Sequence, residues 1–265
     1  MKELIVKLLK DIEKEKKVKI LFAVESGSRA WGMESDNSDY DVRFVFVRDI
    51  DNYISISPSP SVIMRSFDKE GDRTQPEGCF IDCQGFDIIK FCKMLWQSNP
   101  TVIEWLLSKI TYLGERSEVF IDFAKNYFKT ISLYYHYKSM CRQNYLKYLK
   151  SGNLITYKKY LYAMRGLINA KWIANYKKLP PIIFTETIEQ LKGQNIVDEN
   201  ILTELENIIN LKKSMKEKDI VKNYSRIDDY IESFLKDDSE APKEKQLSTI
   251  NTLDNELRRI VKNGI

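Results

Sequence analysis

Histidine is nearly absent from this 265-residue chain, which has only His136, and cysteine is sparse, at positions 79, 83, 92 and 141. Cys79 and Cys83 have no second pair to complete a zinc site, so the thiols are expected to be free and mostly buried. No run approaches the ~18 apolar residues of a membrane span. The opening MKELIVKLLKDIEKEKK places its apolar residues at 4, 5, 8, 9 and 12. That is one face of a helix interrupted by charges rather than a secretory leader, so the expectation is a cytoplasmic protein without membrane association. The most localised shortage is of acid. From Phe123 to Thr185 there is no Asp or Glu, while the same stretch carries 12 Lys and Arg and 10 of the 15 tyrosines. The flanks are acidic: 16 basic against 18 acidic residues over 1–110, and 13 against 17 over 186–265. The overall charge of +4 therefore hides a basic middle suited to polyphosphate or nucleic acid.

Hydrophobic residues make up 43% of the chain, enough for a sizeable core. The pattern reads as helix 2–17, strand 18–25, a turn and short helix over 27–34, strand 39–48, a loop 49–60 and strands near 61–67 and 79–84. Asp87 heads an apolar-periodic segment through Gln97 and reads as a helix cap. Asn99-Pro100 ends that helix and starts the next, 100–108. Beyond about 118 the signal is helical, over 118–150, 154–177, 185–193, 198–214 and 219–235. Residues 237–247 read as a charged flexible linker, followed by a last helix over 248–262. The fold class is α+β, a small mixed sheet domain followed by an all-helical one. The boundaries are 1–115 for the sheet domain, 116–236 for the basic helical domain, and 237–265 for the linker and terminal helix.

Residues 27–41, GSRAWGMESDNSDYD, reduce to Gly-Ser, ten residues, then Asp-x-Asp. The apolar segment Val18–Val24 precedes the Gly-Ser pair. Gly27 permits a tight turn and close approach of a ligand to the backbone, and Ser28 adds a hydroxyl and an amide for phosphate. Arg29 adds charge. Asp39 and Asp41 open the next apolar strand and point to one side, because strand side chains alternate. Adjacent carboxylates repel unless a cation lies between them, and hard divalent ions take oxygen ligands of this kind beside substrate phosphates. Two-metal displacement at phosphorus normally uses a third carboxylate. The candidates are Asp82, within the otherwise apolar Cys79-Phe80-Ile81-Asp82-Cys83, and Asp87. A carboxylate in an apolar strand needs a partner, whereas Asp87 is already explained as a cap, which favours Asp82. Arg43, two residues past Asp41, faces the same side and orients a carboxylate or meets a phosphate. Trp31 reads as packing for the short helix rather than as a base-stacking residue. Lys159, Tyr162 and Arg165 recur at helical spacing and form one basic, aromatic face suited to gripping a nucleotide, with His136, Lys138 and Arg142 on the preceding helix.

Gly-Ser-x10-Asp-x-Asp resembles the signature of the DNA polymerase β-like nucleotidyltransferase superfamily. GSRAWG…SDYDVRF, Lys90-Phe91, the stretch Ser98–Leu106 (SNPTVIEWL), His136-Tyr137, the stretch Lys158–Arg165 (KKYLYAMR), Lys171-Trp172-Ile173 and Pro180-Pro181 resemble the RNA-repair-associated nucleotidyltransferases, the RlaP group. Similar sequences tend to have proline where Gly166 stands. The resemblance implies a polymerase β-type catalytic domain and a helical domain, an NTP substrate, and Mg²⁺ as two ions, with Mn²⁺ as an alternative. It also places Asp82 as the third carboxylate beside Asp39 and Asp41. The chemistry it implies is transfer of NMP to a hydroxyl with release of pyrophosphate, with an RNA end as acceptor. Two other readings keep the site: adenylylation of a partner protein, and nucleotide or RNA binding without turnover.

Overall fold

The computed structural model describes residues 1–75, 78–152, 155–214, 224–243 and 250–263. The described residues form two compact units. One comprises Met1–Ala30, Asp39–Phe128 and Leu247–Ile265; the other comprises Trp31–Ser38 and Lys129–Gln246.

The first unit is built on a five-stranded sheet of order β3-β4-β2-β1-β5. Its strands are β1 (Lys19–Ser26), β2 (Tyr40–Val47), β3 (Val62–Phe67), β4 (Ile81–Asp87) and β5 (Thr111–Gly114). Only the central β2–β4 pair is parallel; β1 is antiparallel to β2 and to β5, and β3 to β4. Helix α1 (Lys2–Lys16) buries Ile5, Leu8, Leu9 and Ile12 and ends on Lys17 in a left-handed conformation. That apolar face joins Ile20, Phe44, Phe46 and Ile81 in one core. Each large side chain buried there is worth about 1.5–3 kcal/mol over leaving it exposed. Short helices α2 (Gly27–Ala30) and α3 (Ile50–Tyr53) follow β1 and β2. Helix α4 (Ile88–Trp96) starts where Asp87 accepts a hydrogen bond from the Ile89 amide at 2.9 Å. Helix α5 (Pro100–Leu107) starts where Asn99 does the same for Thr101 at 2.9 Å. Phe91 of α4 meets Phe22 and Phe120 edge-on, at 5.8 and 5.3 Å between ring centres.

Phe120 belongs to α6 (Glu118–Asn126), which lies in the sheet unit. The unit boundary therefore falls at 128/129 and not at 115/116: α6 is helical in pattern but buries its apolar face on the sheet side. The helical stretch expected over 118–150 is broken into α6, α7 (Thr130–Asn144) and a π-helical turn, Tyr145–Leu149. No Gly or Pro marks the break at 127–129. The terminal helix α12 (Ile250–Lys262) packs on α4 and α6. Its buried Glu256 accepts from the Ser117 hydroxyl at 2.6 Å and pairs with Arg259 at 2.7 Å.

The second unit is helical: α7, α8 (Tyr157–Tyr176), α9 (Phe184–Leu191), α10 (Glu199–Ser214) and α11 (Ser225–Lys236). Of the helix expected over 219–235, residues 219–223 lie outside the described residues. Helices α7 and α8 pack closely at Gly166, where an added Cβ would stand 2.7 Å from the Cys141 amide nitrogen and 2.8 Å from the Tyr137 carbonyl. Three lysines of the acid-free stretch pair with acids far along the chain. Lys138 pairs with Asp238 at 2.8 Å, Lys171 with Glu240 at 2.8 Å, and Lys150 with Glu232 at 3.0 Å. Asp228 accepts from the Tyr160 hydroxyl at 3.2 Å. Residues 237–240, expected as linker, thus anchor two lysines that are themselves buried. Among the described residues no helix is long and apolar enough to cross a membrane.

Two outcomes test this packing. Gly166→Ala should lower unfolding free energy by about 1–3 kcal/mol through overpacking, read as a lower denaturant midpoint at unchanged slope. Glu15 gives the second. Hydrogen bonds from Arg65 and Lys16 hold its carboxyl down at about 2, with Arg73 also paired to it. A depressed carboxyl stabilises the fold above its unfolded value and loses that contribution as pH falls toward 2. Glu15→Gln should therefore be less stable than the parent at pH 7, and the gap should close on acidification, as read by thermal melts across pH.

Candidate active site

The end of β1 and the start of β2 are neighbours, with Ser26 opposite Asp41 in the antiparallel register. Gly27 turns the chain out of β1 with φ of 61°. Any Cβ there would collide with the Asp41 carboxylate, so that carboxylate lies directly against the glycine backbone. Ser28 is buried in the single turn of α2. The Arg29 guanidinium lies 3.9 Å over the Tyr40 ring, and its Nε donates to the Asp39 carbonyl at 3.2 Å. Arg29 thus fastens the Gly-Ser turn to the residue before β2.

Strands β2 and β4 run parallel with Asp41 opposite Asp82, so the two side chains share a face. Arg43, two residues on, shares it as well. One guanidinium nitrogen of Arg43 lies 2.8 Å from Asp41 Oδ1 and 2.9 Å from Asp82 Oδ2. The other donates to the Asp82 carbonyl at 2.8 Å and to the Val42 carbonyl at 3.1 Å. Asp39 precedes β2 and is exposed. Asp87 stands five residues beyond Asp82, about 16 Å along the strand, where it caps α4 and accepts from the Tyr53 hydroxyl at 2.8 Å. Of the two carboxylates considered for the third position, Asp82 is the one beside Asp41.

Two carboxylates drawn together around a cationic group form an oxygen-only donor set, and a hard divalent ion fits it. Among the described residues no three Asp, Glu, His or Cys side chains already converge as a metal cluster. What the fold provides is a pair, Asp41 and Asp82, with Asp39 on the exposed approach to β2. The four cysteines are free, and burial pushes the thiols of Cys83, Cys92 and Cys141 up to about 12.

Behind this pair lies a carboxylate that the motif does not include. Glu25 is fully buried in β1. Its Oε1 accepts from the Asp41 amide at 2.7 Å, and its Oε2 accepts a short hydrogen bond from the Tyr112 hydroxyl of β5. Burial pushes the Glu25 carboxyl up to about 7, against both of those donors, and the charge of Asp41 raises it further. The sequence signal was present in Leu21-Phe22-Ala23-Val24-Glu25, an acid at the end of an apolar run, but its partner lies 87 residues away and has no motif.

Lys159, Tyr162 and Arg165 all lie on α8 in the helical unit. Arg165 is buried, with its guanidinium 3.8 Å over the Trp31 ring. Tyr162 meets the same ring edge-on at 5.5 Å, and Lys159 lies 4.9 Å over Tyr148. Trp31, expected to pack the short helix, is half-buried and lies against α8, and its carbonyl accepts from the Phe184 amide at 2.9 Å. His136 is half-buried on α7.

Comparison with known proteins agrees with the motif. The chain is 33% identical over 267 residues to an uncharacterized protein, YcgL, of Bacillus subtilis (strain 168), covering 100% of this chain and 96% of that one. A crystal structure of a nucleotidyltransferase-like protein from Exiguobacterium sibiricum 255-15 aligns over 98% of this chain and 77% of its own. Its 12% identity and TM-score of 0.31 are too low to support an inference. The model of the RlaP family, described as the RNA repair pathway DNA polymerase beta family, matches residues 1–259. With the Gly-Ser turn set against Asp41, Asp82 alongside it, and a family match over nearly the whole length, the chain belongs to the RlaP family of polymerase β-like nucleotidyltransferases.

Proposed function

We propose that the protein is a Mg²⁺-dependent nucleotidyltransferase that moves NMP from an NTP to a hydroxyl at an RNA end, releasing pyrophosphate. The observation that carries this reading is the parallel placement of Asp41 and Asp82 on one face around a cationic group, with Gly27 directly against Asp41. RNA as acceptor is supported by the RNA repair pathway in the family's description. The free thiols suit a reducing cytoplasm.

In this reading Asp41 and Asp82 hold Mg²⁺ and the exposed Asp39 joins them, with Mn²⁺ as an alternative ion. The bound ion supplies neutralisation of the triphosphate and a lower pKa for the attacking hydroxyl. Ser28 offers its hydroxyl to the phosphates, and the missing Cβ of Gly27 lets them approach the backbone. Arg29 keeps that turn beside Asp39. Arg43 holds the two carboxylates side by side. The hydroxyl gives its proton to the Asp82 carboxylate as its oxygen forms a bond to the α-phosphorus, the bond from that phosphorus to the bridging oxygen breaks, and pyrophosphate departs. We assign Arg165 and Tyr162 to holding Trp31.

The deciding experiment is a panel of α-phosphate-labelled NTPs with Mg²⁺, incubated with total RNA and with total protein. Label on RNA is expected. Label on protein instead would move the acceptor to a partner protein, and label on neither would remove the transferase reading. Asp41→Asn and Asp82→Asn should each lower transfer by about 100-fold or more, while Asp87→Asn should lower stability and leave transfer per folded molecule unchanged. Chelation with EDTA should stop transfer, and added Mg²⁺ should restore it. Gly27→Ala should lose transfer as fully as Asp41→Asn, because the methyl group displaces the Asp41 carboxylate.

A further inference from the structure

Arg43 fixes the ends of the Asp41 and Asp82 side chains, but Asp41 also needs its backbone fixed, since it stands second in β2 beside a turn. Every polar atom of Glu25 is engaged around that point. Its amide donates to the Ile110 carbonyl at 3.0 Å and its carbonyl accepts from the Ser108 hydroxyl at 2.7 Å. One carboxylate oxygen takes the Asp41 amide at 2.7 Å and the other takes the Tyr112 hydroxyl. We propose that Glu25 and Tyr112 form a positioning pair that sets Asp41 for cation binding. The inference rests on the reading of Asp41 as a cation ligand and adds two residues that reading does not use.

The chemistry of the pair supports a role beyond strand filling. A carboxylate buried without a countercharge is costly, and glutamine or an aliphatic residue would complete β1 at less expense. When ionised, the carboxyl group is acceptor-only, and the Asp41 N–H and the Tyr112 O–H both point at it. Glutamine in its place presents one acceptor and one donor, and Tyr112 then loses its fixed direction. Tyr112 reaches Glu25 from β5, while its ring packs against the core next to α1. The start of β2 is therefore tied through one side chain to both β1 and β5, and a shift in β5 is felt at the Asp41 backbone. Outer contacts of this kind are worth about 10–100-fold in metal affinity.

The test titrates the full chain with Mn²⁺ alone, without nucleotide, and reads free Mn²⁺ by electron paramagnetic resonance. Tyr112→Phe keeps the ring and removes the hydroxyl; Glu25→Gln keeps the shape and removes the acceptor pair. Each should weaken Mn²⁺ binding by about 10-fold. The double variant should be little worse than either single one, because the two residues act as one unit. Thermal midpoints of the single variants should fall by no more than about 6 °C, the equivalent of one hydrogen bond. If Tyr112→Phe binds Mn²⁺ within about twofold of the parent, well short of an outer-contact effect, the pair is structural only and the proposal fails. That holds even if Glu25→Gln does not fold. A parent chain that binds no Mn²⁺ defeats the reading of Asp41 as well. Binding that is lost in Asp41→Asn but kept in Tyr112→Phe defeats the positioning role alone.

Discussion

The parallel pairing of β2 with β4 is the constraint on which the candidate site rests. It brings Asp41 opposite Asp82, 41 residues apart in sequence, and turns both side chains to one face. Two like charges in that position need a positive group, and Arg43 fills the need from two residues away on the same strand. Period-two alternation thus does two jobs at once: it aligns the acids across strands and the guanidinium along one strand. A one-residue slip of β4 would send Asp82 to the opposite face and bring Cys83, now buried in the core, to the site.

Around that pair the sheet supplies a second, hidden layer. Gly27 presses on the Asp41 carboxylate from the turn, Glu25 holds its amide from β1, and Tyr112 reaches Glu25 from β5. The candidate ligand is thus held at backbone and side chain by residues from two strands and a turn.

Much of this was readable from local chemistry. The Gly-Ser turn, the Asp-x-Asp strand, the Asp87 cap and the Asn99-Pro100 helix start are local statements, in which neighbours a few residues apart determine the conformation. What escaped was settled across long separations. β5 is four residues, Thr-Tyr-Leu-Gly, too short to show alternation. The acid-free stretch looked like open positive charge because its partners, Glu232, Asp238 and Glu240, lie roughly 70 to 100 residues downstream. Trp31–Ser38, the spacer inside the motif, belongs with the helical unit through Trp31 and through Met33, whose carbonyl accepts from buried Lys212 at 2.5 Å. No pattern within those eight residues announces a partner on α8 or α10.

The return of α12 to the sheet unit bears on how the molecule is made. Its partners α4 and α6 emerge from the ribosome more than a hundred residues before it does, and α7 to α11 are synthesised in between. Until then Ser117 lacks the Glu256 carboxylate, and the apolar face that receives Leu253 stays open to water. The nascent sheet unit therefore spends its first seconds with a gap that α12, made much later, fills, an interval in which a chaperone has something to recognise.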